Sequence, residues 1–552
     1  MKRFPNRWTA LPAAAAIGFA ALSPAAAGQE KPVVSARSGQ RQVRDLPPPS
    51  SQGGIELSLD QAIGLALANN QDLNVTVNAA ESTRFSLFQS QGIYDPLVSA
   101  SVSRSHTEQP ATSTLVGATV NTSDFTDARA QVSQLAPTGG TFALGFTGNK
   151  TTTNSTFSFI NPSYSSSLTL SMNQPLLRNF GPRVTTWLIR IARNTRDSSY
   201  QDFVRSVQTT VNAVEQAYWD LVYALQNLEV KKESLRIAQD LNRITRIKID
   251  VGSLAPIEIT QTEVGIATAE QDIITAEGLI GDAQDRLTRL LNVNPVRWST
   301  TPIVPTDQVR GEDVQIQAEE GTKTALARRP EILSLAYFVD SDQIRYDYYR
   351  NQVLPGLNLT ASYGNPGIGG TTHDPTIGAI LSTGNFGDAF QQVIDRNFKN
   401  WSVGLNFSYP ILNRAARGAY GAAKYTWESD KARMTTTEQN VVVEVRAAAR
   451  AIDTARRSIA AASKGRELAE KNLDAVKKKY DNGMSTSFEV TQIQRDLSAA
   501  RTTELQALTV YRKALAAYHF ATADILDWKG VQVEGLPETT PPPFTGITAE
   551  PR

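Results

Sequence analysis

Leu168-Thr169-Leu170-Ser171-Met172-Asn173-Gln174-Pro175-Leu176-Leu177 and Trp401-Ser402-Val403-Gly404-Leu405-Asn406-Phe407-Ser408-Tyr409-Pro410-Ile411-Leu412 decide the fold. In both stretches apolar residues alternate with small, uncharged polar ones until a proline ends the run, which is a strand with one apolar and one polar face. Such a strand suits a wall with lipid outside and water inside, although an ordinary half-buried sheet alternates in the same way.

The two stretches belong to a duplication. Ala66-Leu67-Ala68 followed by Asp72-Leu73 recurs as Ala325-Leu326-Ala327 followed by Glu331-Ile332, an offset of 259 that also carries Pro96 onto Pro355 and Ser101-Val102-Ser103 onto Thr360-Ala361-Ser362. Gln174-Pro175 meets Tyr409-Pro410 at an offset of 235. Gly252 with Glu258-Ile259-Thr260-Gln261 meets Gly483 with Glu489-Val490-Thr491-Gln492 at 231. Four matches in chain order predict two repeats, each reading helix, strand region, long helix, tight turn, helix. The falling offset places extra residues in the first copy between Ser103 and Leu168. There, 128–135 and 141–147, around Pro137-Thr138-Gly139-Gly140, predict an additional hairpin that joins the wall, caps the mouth or folds into the lumen.

After each strand region the period turns helical. Val204, Val207, Val211, Val214, Tyr218, Leu221, Leu225 and Leu228 follow steps of three and four, as do Val445, Ala448, Ile452, Ala455, Ile459 and Ala462, resuming at Ala469, Leu473, Val476 and Tyr480. Sustained heptads coil helices around neighbours. A helix from about Arg183 to Ile249 would be about 100 Å long, too long for a compact enzyme domain. Glycine ends one helix and proline opens the next at Val251-Gly252-Ser253-Leu254-Ala255-Pro256, and Asn482-Gly483-Met484-Ser485-Thr486 repeats the device with Thr486 as the N-cap.

Lys2, Arg3 and Arg7 precede an apolar run from Leu11 to Leu22 and the small residues Ala25-Ala26-Ala27, the pattern of a secretory signal. The predicted organisation is signal peptide 1–27, Pro/Ser/Gly-rich linker 28–56, first repeat 57–294, connector 295–320, second repeat 321–528 and Pro-rich tail 529–552. The 552-residue chain has 55 basic and 54 acidic residues, a balance without the basic footprint of a nucleic-acid binder. With no cysteine it has no disulfide, thiolate metal site, cysteine nucleophile or lipid-modified N-terminal cysteine. His106, His373 and His519 lie too far apart in sequence for a metal motif, so no catalytic, cofactor or metal residue is assigned. Glycine-rich Gly364 to Gly370 lacks the following helix and last glycine of a dinucleotide fingerprint and is read as a loop between strands.

Two strands per copy, four in all, cannot close a barrel, and open edges do not persist in a bilayer, so several chains must share one wall. Tyr94, Tyr363, Trp401 and Tyr409 near strand ends favour the barrel with interfacial girdles. The chain resembles the TolC-type outer-membrane efflux proteins through Tyr94-Asp95-Pro96, Gln174-Pro175-Leu176-Leu177, Ala325-Leu326-Ala327-Arg328-Arg329-Pro330-Glu331 and the turns at Gly252 and Gly483, over nearly all of 57–526. The resemblance implies an α+β fold: a transmembrane β-barrel shared by a homotrimer, four strands per subunit, continuous with a long α-helical coiled-coil barrel in the periplasm. It implies localisation in a Gram-negative outer membrane, in contact with its lipid. It further implies docking onto a periplasmic membrane-fusion adaptor coupled to an inner-membrane pump of RND, ABC or MFS type, as an efflux or type I secretion duct that catalyses nothing.

The resemblance also places the working residues. Glu489 falls at an acidic gate position and Gln492 at the next. Tyr480 and Glu258 match positions that hold the tunnel end closed, while Ser485 stands where a partner arginine is expected. Val251, Gly252, Ser253, Leu254 and Asn482, Gly483, Met484, Ser485 match the adaptor-contacting tips. Each has a plainer reading: Glu489 on a solvated helix face, Tyr480 as heptad packing, the glycines as helix stops. The competing function is an exported structural or adhesive coiled-coil surface protein, and a periplasmic adaptor is a second. The first needs no strand pairs interrupting the helices, and the second presents one coiled-coil hairpin on a lipoyl-like and barrel-like body where this sequence has two.

Overall fold

A computed structural model describes residues 33–36, 54–111, 117–292, 302–309, 316–374, 377 and 379–534. The expected signal peptide and most of the linker and tail lie outside the described residues. The first repeat comprises strand β2 (Ile55–Leu57), helices α1 (Leu59–Asn69) and α2 (Gln71–Gln91), strands β3 (Leu97–Pro110), β4 (Val120–Leu135), β5 (Thr141–Thr153) and β6 (Ile160–Pro175), the single turn α3 (Pro182–Thr185), and the hairpin α4 (Trp187–Asp250) with α5 (Ile257–Leu291). After β7 (Ile303–Pro305) the order returns: α6 (Ala318–Arg328), α7 (Pro330–Gln352), β8 (Gly356–His373), β9 (Ile380–Ser382), α8 (Phe386–Ile394), β10 (Asn400–Ser408), then α9 (Arg414–Asp481) with α10 (Ser487–Ala521). Helix α11 (Ile525–Trp528) closes the second copy, and β11 (Val531–Glu534) pairs with β1 (Val33–Ala36).

One antiparallel sheet runs β10-β8-β6-β5-β4-β3, with β9 beside β8. The expectation of four strands is therefore corrected. The extra hairpin is β4-β5, paired in full register on both sides, Val98 opposite Val132, Val132 opposite Leu144 and Leu144 opposite Leu170. It joins the sheet because its alternation matches its neighbours, so Ala130, Val132, Phe142, Leu144 and Phe146 fall on their apolar face. The two copies meet at β6-β8, leaving β3 and β10 as unpaired edges. The row Val98, Val132, Leu144, Leu170, Tyr363 and Trp401 lies on one face, while Ser99, Gln131, Thr169 and Ser402 lie on the other. Trp401, Val403, Leu405 and Phe407 are each about two-thirds exposed, an apolar band left open among the described residues.

The stretch Gly364 to Gly370 is also corrected: it lies inside β8 rather than in a loop. Glycine is tolerated in this strand because another backbone approaches it, as described below.

Helices α4 and α9 contain 64 and 68 residues, about 100 Å each. Val207, Val211, Val214, Tyr218 and Leu221 of α4 are fully buried against α1 and Ile303, Ile525 and Val531, the largest core of the molecule. The Tyr218 hydroxyl donates to Leu57 O at 3.0 Å and Asp307 Oδ2 at 2.7 Å, tying the connector to this waist. Lys529, in the expected tail, bonds buried Glu215 at 2.9 Å. Connector and tail thus contribute β7, β11 and this ion pair rather than only irregular chain. In the second copy Val441, Val445, Ile452 and Ala455 pack against Tyr511, Leu515 and Tyr518. Buried Arg329, from the motif that opens this copy, pairs with Glu331 at 3.0 Å and Glu444 at 2.5 Å. Among the described residues no helix is long and apolar enough to cross a membrane.

Candidate functional site at the hairpin tips

Both helical hairpins reverse by the same local chemistry. Gly252 and Gly483 take φ of +76° and +74°, which L side chains rarely adopt. Ser253 N donates to Lys248 O, and Met484 N to Lys479 O, each at 2.8 Å, the six-to-one bond that satisfies the last helical carbonyls. Thr486 caps α10 by accepting from Glu489 N at 3.2 Å. Val251, Ile257, Met484 and Phe488 stand more than half exposed at the tips. Leu254 is the exception, packed against the seam of Leu241, Leu473, Val476, Tyr480, Val490 and Leu497 that joins the hairpins.

Polar contacts lock one tip to the other. The hydroxyls of Thr245 on α4 and Tyr480 on α9 lie 2.6 Å apart, with both residues fully buried. Lys248 Nζ donates to Tyr480 O at 2.5 Å, sits 4.1 Å from the Tyr480 ring centre and lies 3.9 Å from Asp481. Burial pushes the Tyr480 phenol above its ordinary value, an effect partly offset by the Thr245 hydrogen bond. One turn beyond, Glu258 on α5 accepts from Ser487 N at 3.0 Å and from the Ser487 hydroxyl, while Gln261 Oε1 accepts from the same hydroxyl at 3.2 Å. Ser487 has no solvent exposure. These bonds include a carboxylate acceptor and a buried donor pair, the kinds most costly to break.

The structure brings Tyr480 and Glu258 into one contact and leaves the other two residues outside it. Glu489 is exposed and accepts from the Ser485 hydroxyl at 2.7 Å. Gln492 is exposed and bonds Arg495 and Asp496 on its own helix. Ser485, in the place of the expected arginine, crosses to no other helix through this bond. Sequence reasoning missed Thr245, Lys248 and Ser487, whose roles depend on which helices abut. It also missed Ile257 and Phe488, although an apolar residue at the same place in both copies was there to be aligned. Among the described residues no group of histidine, aspartate and glutamate could hold a metal ion. The assembled groups join the two hairpins through polar contacts near their tips.

The sequence profile of the outer membrane efflux protein family matches residues 62–293 and 322–522, the two copies in turn. The chain belongs to the outer membrane efflux protein family. This efflux-family chain is an outer-membrane exit channel with a periplasmic helical tunnel, and the family is one of ducts rather than enzymes. The outer membrane efflux protein BepC of Brucella suis is 23% identical over 355 residues, 61% of this chain and 68% of that protein. The CmeC outer-membrane channel of Campylobacter jejuni, at 18% identity and a TM-score of 0.60, covers 87% of this chain and 90% of its own. The open state of the MtrE outer-membrane channel of Neisseria gonorrhoeae, at 16% identity and a TM-score of 0.57, covers 90% and 97%. These two structures share the fold. An adhesive coiled coil is set aside, because membership assigns both strand regions and both hairpins to a duct.

Proposed function

We propose that three copies of the chain share one barrel and one tunnel, and that the contact between hairpin tips holds the tunnel's periplasmic end closed. The observation that carries this reading is the buried Thr245–Tyr480 and Glu258–Ser487 lock, placed where the two hairpins of a chain meet at their free ends. Edges β3 and β10, left open in one chain, are satisfied when β3 of one copy pairs with β10 of the next. Three six-stranded sheets then give a wall of about eighteen strands, wider than four strands per chain would close.

In this assembly Glu489 lies outside the lock and faces the lumen, where three copies form a cation-attracting ring with Gln492 one turn along. The tips, Val251 to Leu254 and Asn482 to Ser485 flanked by Ile257 and Phe488, dock onto a periplasmic membrane-fusion adaptor through their exposed residues, with Leu254 held in the seam. Through it the duct serves an inner-membrane pump of RND, ABC or MFS type, for efflux or type I secretion. Exposed apolar side chains on tight turns are suited to a hairpin partner. Single-channel recording from purified trimers in planar bilayers tests the reading. Cation-preferring pores are expected, with selectivity falling towards neutral in Glu489→Ala. Unchanged selectivity overturns the ring, and failure to form pores overturns the duct.

A further inference from the structure

Towards the loop ends of β5, β6 and β8 the apolar face changes character. Below, it carries Phe142, Leu144 and Phe146, then Met172, Leu170 and Leu168, then Leu359, Ala361 and Tyr363. Above, the same face carries Gly148, Ser166, Asn365, Gly367 and Gly369. Glycine and polar groups make a poor surface towards hydrocarbon, where exposed backbone and hydroxyls lack partners.

Helix α8 lies on this patch. Its N-terminus is set by Asn385, which accepts from Gly387 N while Asp388 accepts from Asn385 N, each at 2.6 Å. A side chain at Gly367 would strike Ala389 O, one at Gly369 would meet Asn385 O at 2.5 Å, and one at Gly148 would reach the Phe386 ring at 3.0 Å. Gln392 bonds the Ile368 backbone in both directions, at 3.1 Å and 2.9 Å, and Phe390 meets Phe146 edge-on with ring centres 5.8 Å apart. Ala389 and Val393 are buried against the sheet, and Ser166 and Asn365 beneath are covered. The outer side of the helix leaves Ile394 59% exposed and Phe390 partly open, and Ile380, Leu381 and Phe398, which flank the helix in sequence, are exposed as well.

We propose that α8 is a lipid-facing part of the barrel wall, whose free side is covered by acyl chains of the outer leaflet. The proposal rests on the barrel reading above. Two observations commit it to lipid. The helix continues, on the same face, the exposed band of Trp401, Val403, Leu405 and Phe407. A cross-strand row at the height of Gly369 then brings Arg104, Lys150 and Tyr164 onto this face, with Lys150 5.7 Å from the Tyr164 ring centre, while exposed Arg396 and Lys399 follow the helix. Cations and an aromatic ring above an apolar band match anionic headgroups above acyl chains. The strands run away from the periplasmic tunnel, so this rim is the outer one. Glycines in β8 are thus the seat for a helix that restores the apolar surface they forfeit.

The cysteine-free chain permits a direct test by site-directed spin labelling. Ile394→Cys, Val403→Cys and Ser402→Cys are made separately in the full chain, labelled with a nitroxide and reconstituted in phosphatidylethanolamine–phosphatidylglycerol vesicles. Collision with oxygen and with a water-soluble nickel chelate is then measured by electron paramagnetic resonance. The expected oxygen-to-nickel ratio at 394 equals that at lipid-facing 403 and exceeds severalfold that at lumen-facing 402. A ratio at 394 like that at 402 overturns the proposal, and so does shielding from both reagents, which would place protein over the helix. If 403 is water-exposed as well, the barrel reading fails and the proposal falls with it.

Discussion

Glu258 and Glu489 occupy the same place in the two copies, six residues after the turn glycine, and meet opposite fates. Glu258 is held by Ser487 across the seam, whereas Glu489 is exposed and bonded only within its own tip. The two copies offer these glutamates unlike partners. The first-copy counterpart of Ser487, at the offset of 231, is Pro256, which has neither a hydroxyl nor a backbone N–H to offer a carboxylate. The same offset carries Thr245 onto Val476 and Tyr480 back onto Ile249, so the mirror of the Thr245–Tyr480 pair would be apolar. A duplicated hairpin therefore presents two unlike faces, one that locks within the chain and one that does not. In the proposed ring of six hairpins, polar and apolar contacts alternate, which restricts the polar lock to one contact of each pair.

This asymmetry is tested most severely by Glu258→Ala, which strips two acceptor contacts from buried Ser487. The loss of about 2 kcal/mol expected for a charge-assisted pair shifts the closed-to-open ratio about thirtyfold. Single-channel open probability reads the shift, and an unchanged value removes Glu258 from the lock. Tyr480→Phe keeps the packing and deletes one neutral hydrogen bond of about 1 kcal/mol, for an increase in open probability of about fivefold. The pH profile belongs to the same residue. Because burial raises the folded-state phenol above its ordinary 10.0, its contribution is fully present below that value and is lost only as pH climbs through the raised one. Conductance is thus expected to stay flat up to about pH 9, and a step near neutrality would show that another group controls closure. The smallest effect is expected from Glu489→Ala, within about 0.5 kcal/mol in denaturant unfolding, as for other exposed side chains. A large destabilisation there would erase the contrast between the copies.

Much of the architecture was legible in residues with one local meaning. Pro96 and Pro355 open strands, Gly252 and Gly483 stop helices, and steps of three and four from Val207 to Leu221 mark a face that is buried. The hairpin β4-β5 was visible as strands but its place was not, since alternation fixes a strand's faces without naming its neighbours. Gly364 to Gly370 misled for a related reason. Glycine within a strand marks either a break or a close approach of another backbone, and only α8, supplied from further along the chain, shows which. At the tips the glutamates and Tyr480 could be singled out through the resemblance to the efflux family, whereas Thr245, Lys248 and Ser487 carry no pattern that sets them apart.

The sequence by itself determined that the chain is duplicated, that each copy joins two-faced strands to a long heptad hairpin, and that the turns between helices are built alike. These follow from periodicity and from backbone restrictions that act over a few residues. Only the tertiary structure decided that six strands run side by side in one sheet, that a helix seats on its glycines, and that Glu258 is bound across the seam where Glu489 is bonded within its own tip. Those outcomes depend on which elements abut, from neighbours such as Gly369 and Asn385 to residues more than two hundred positions apart, such as Glu258 with Ser487 and Thr245 with Tyr480.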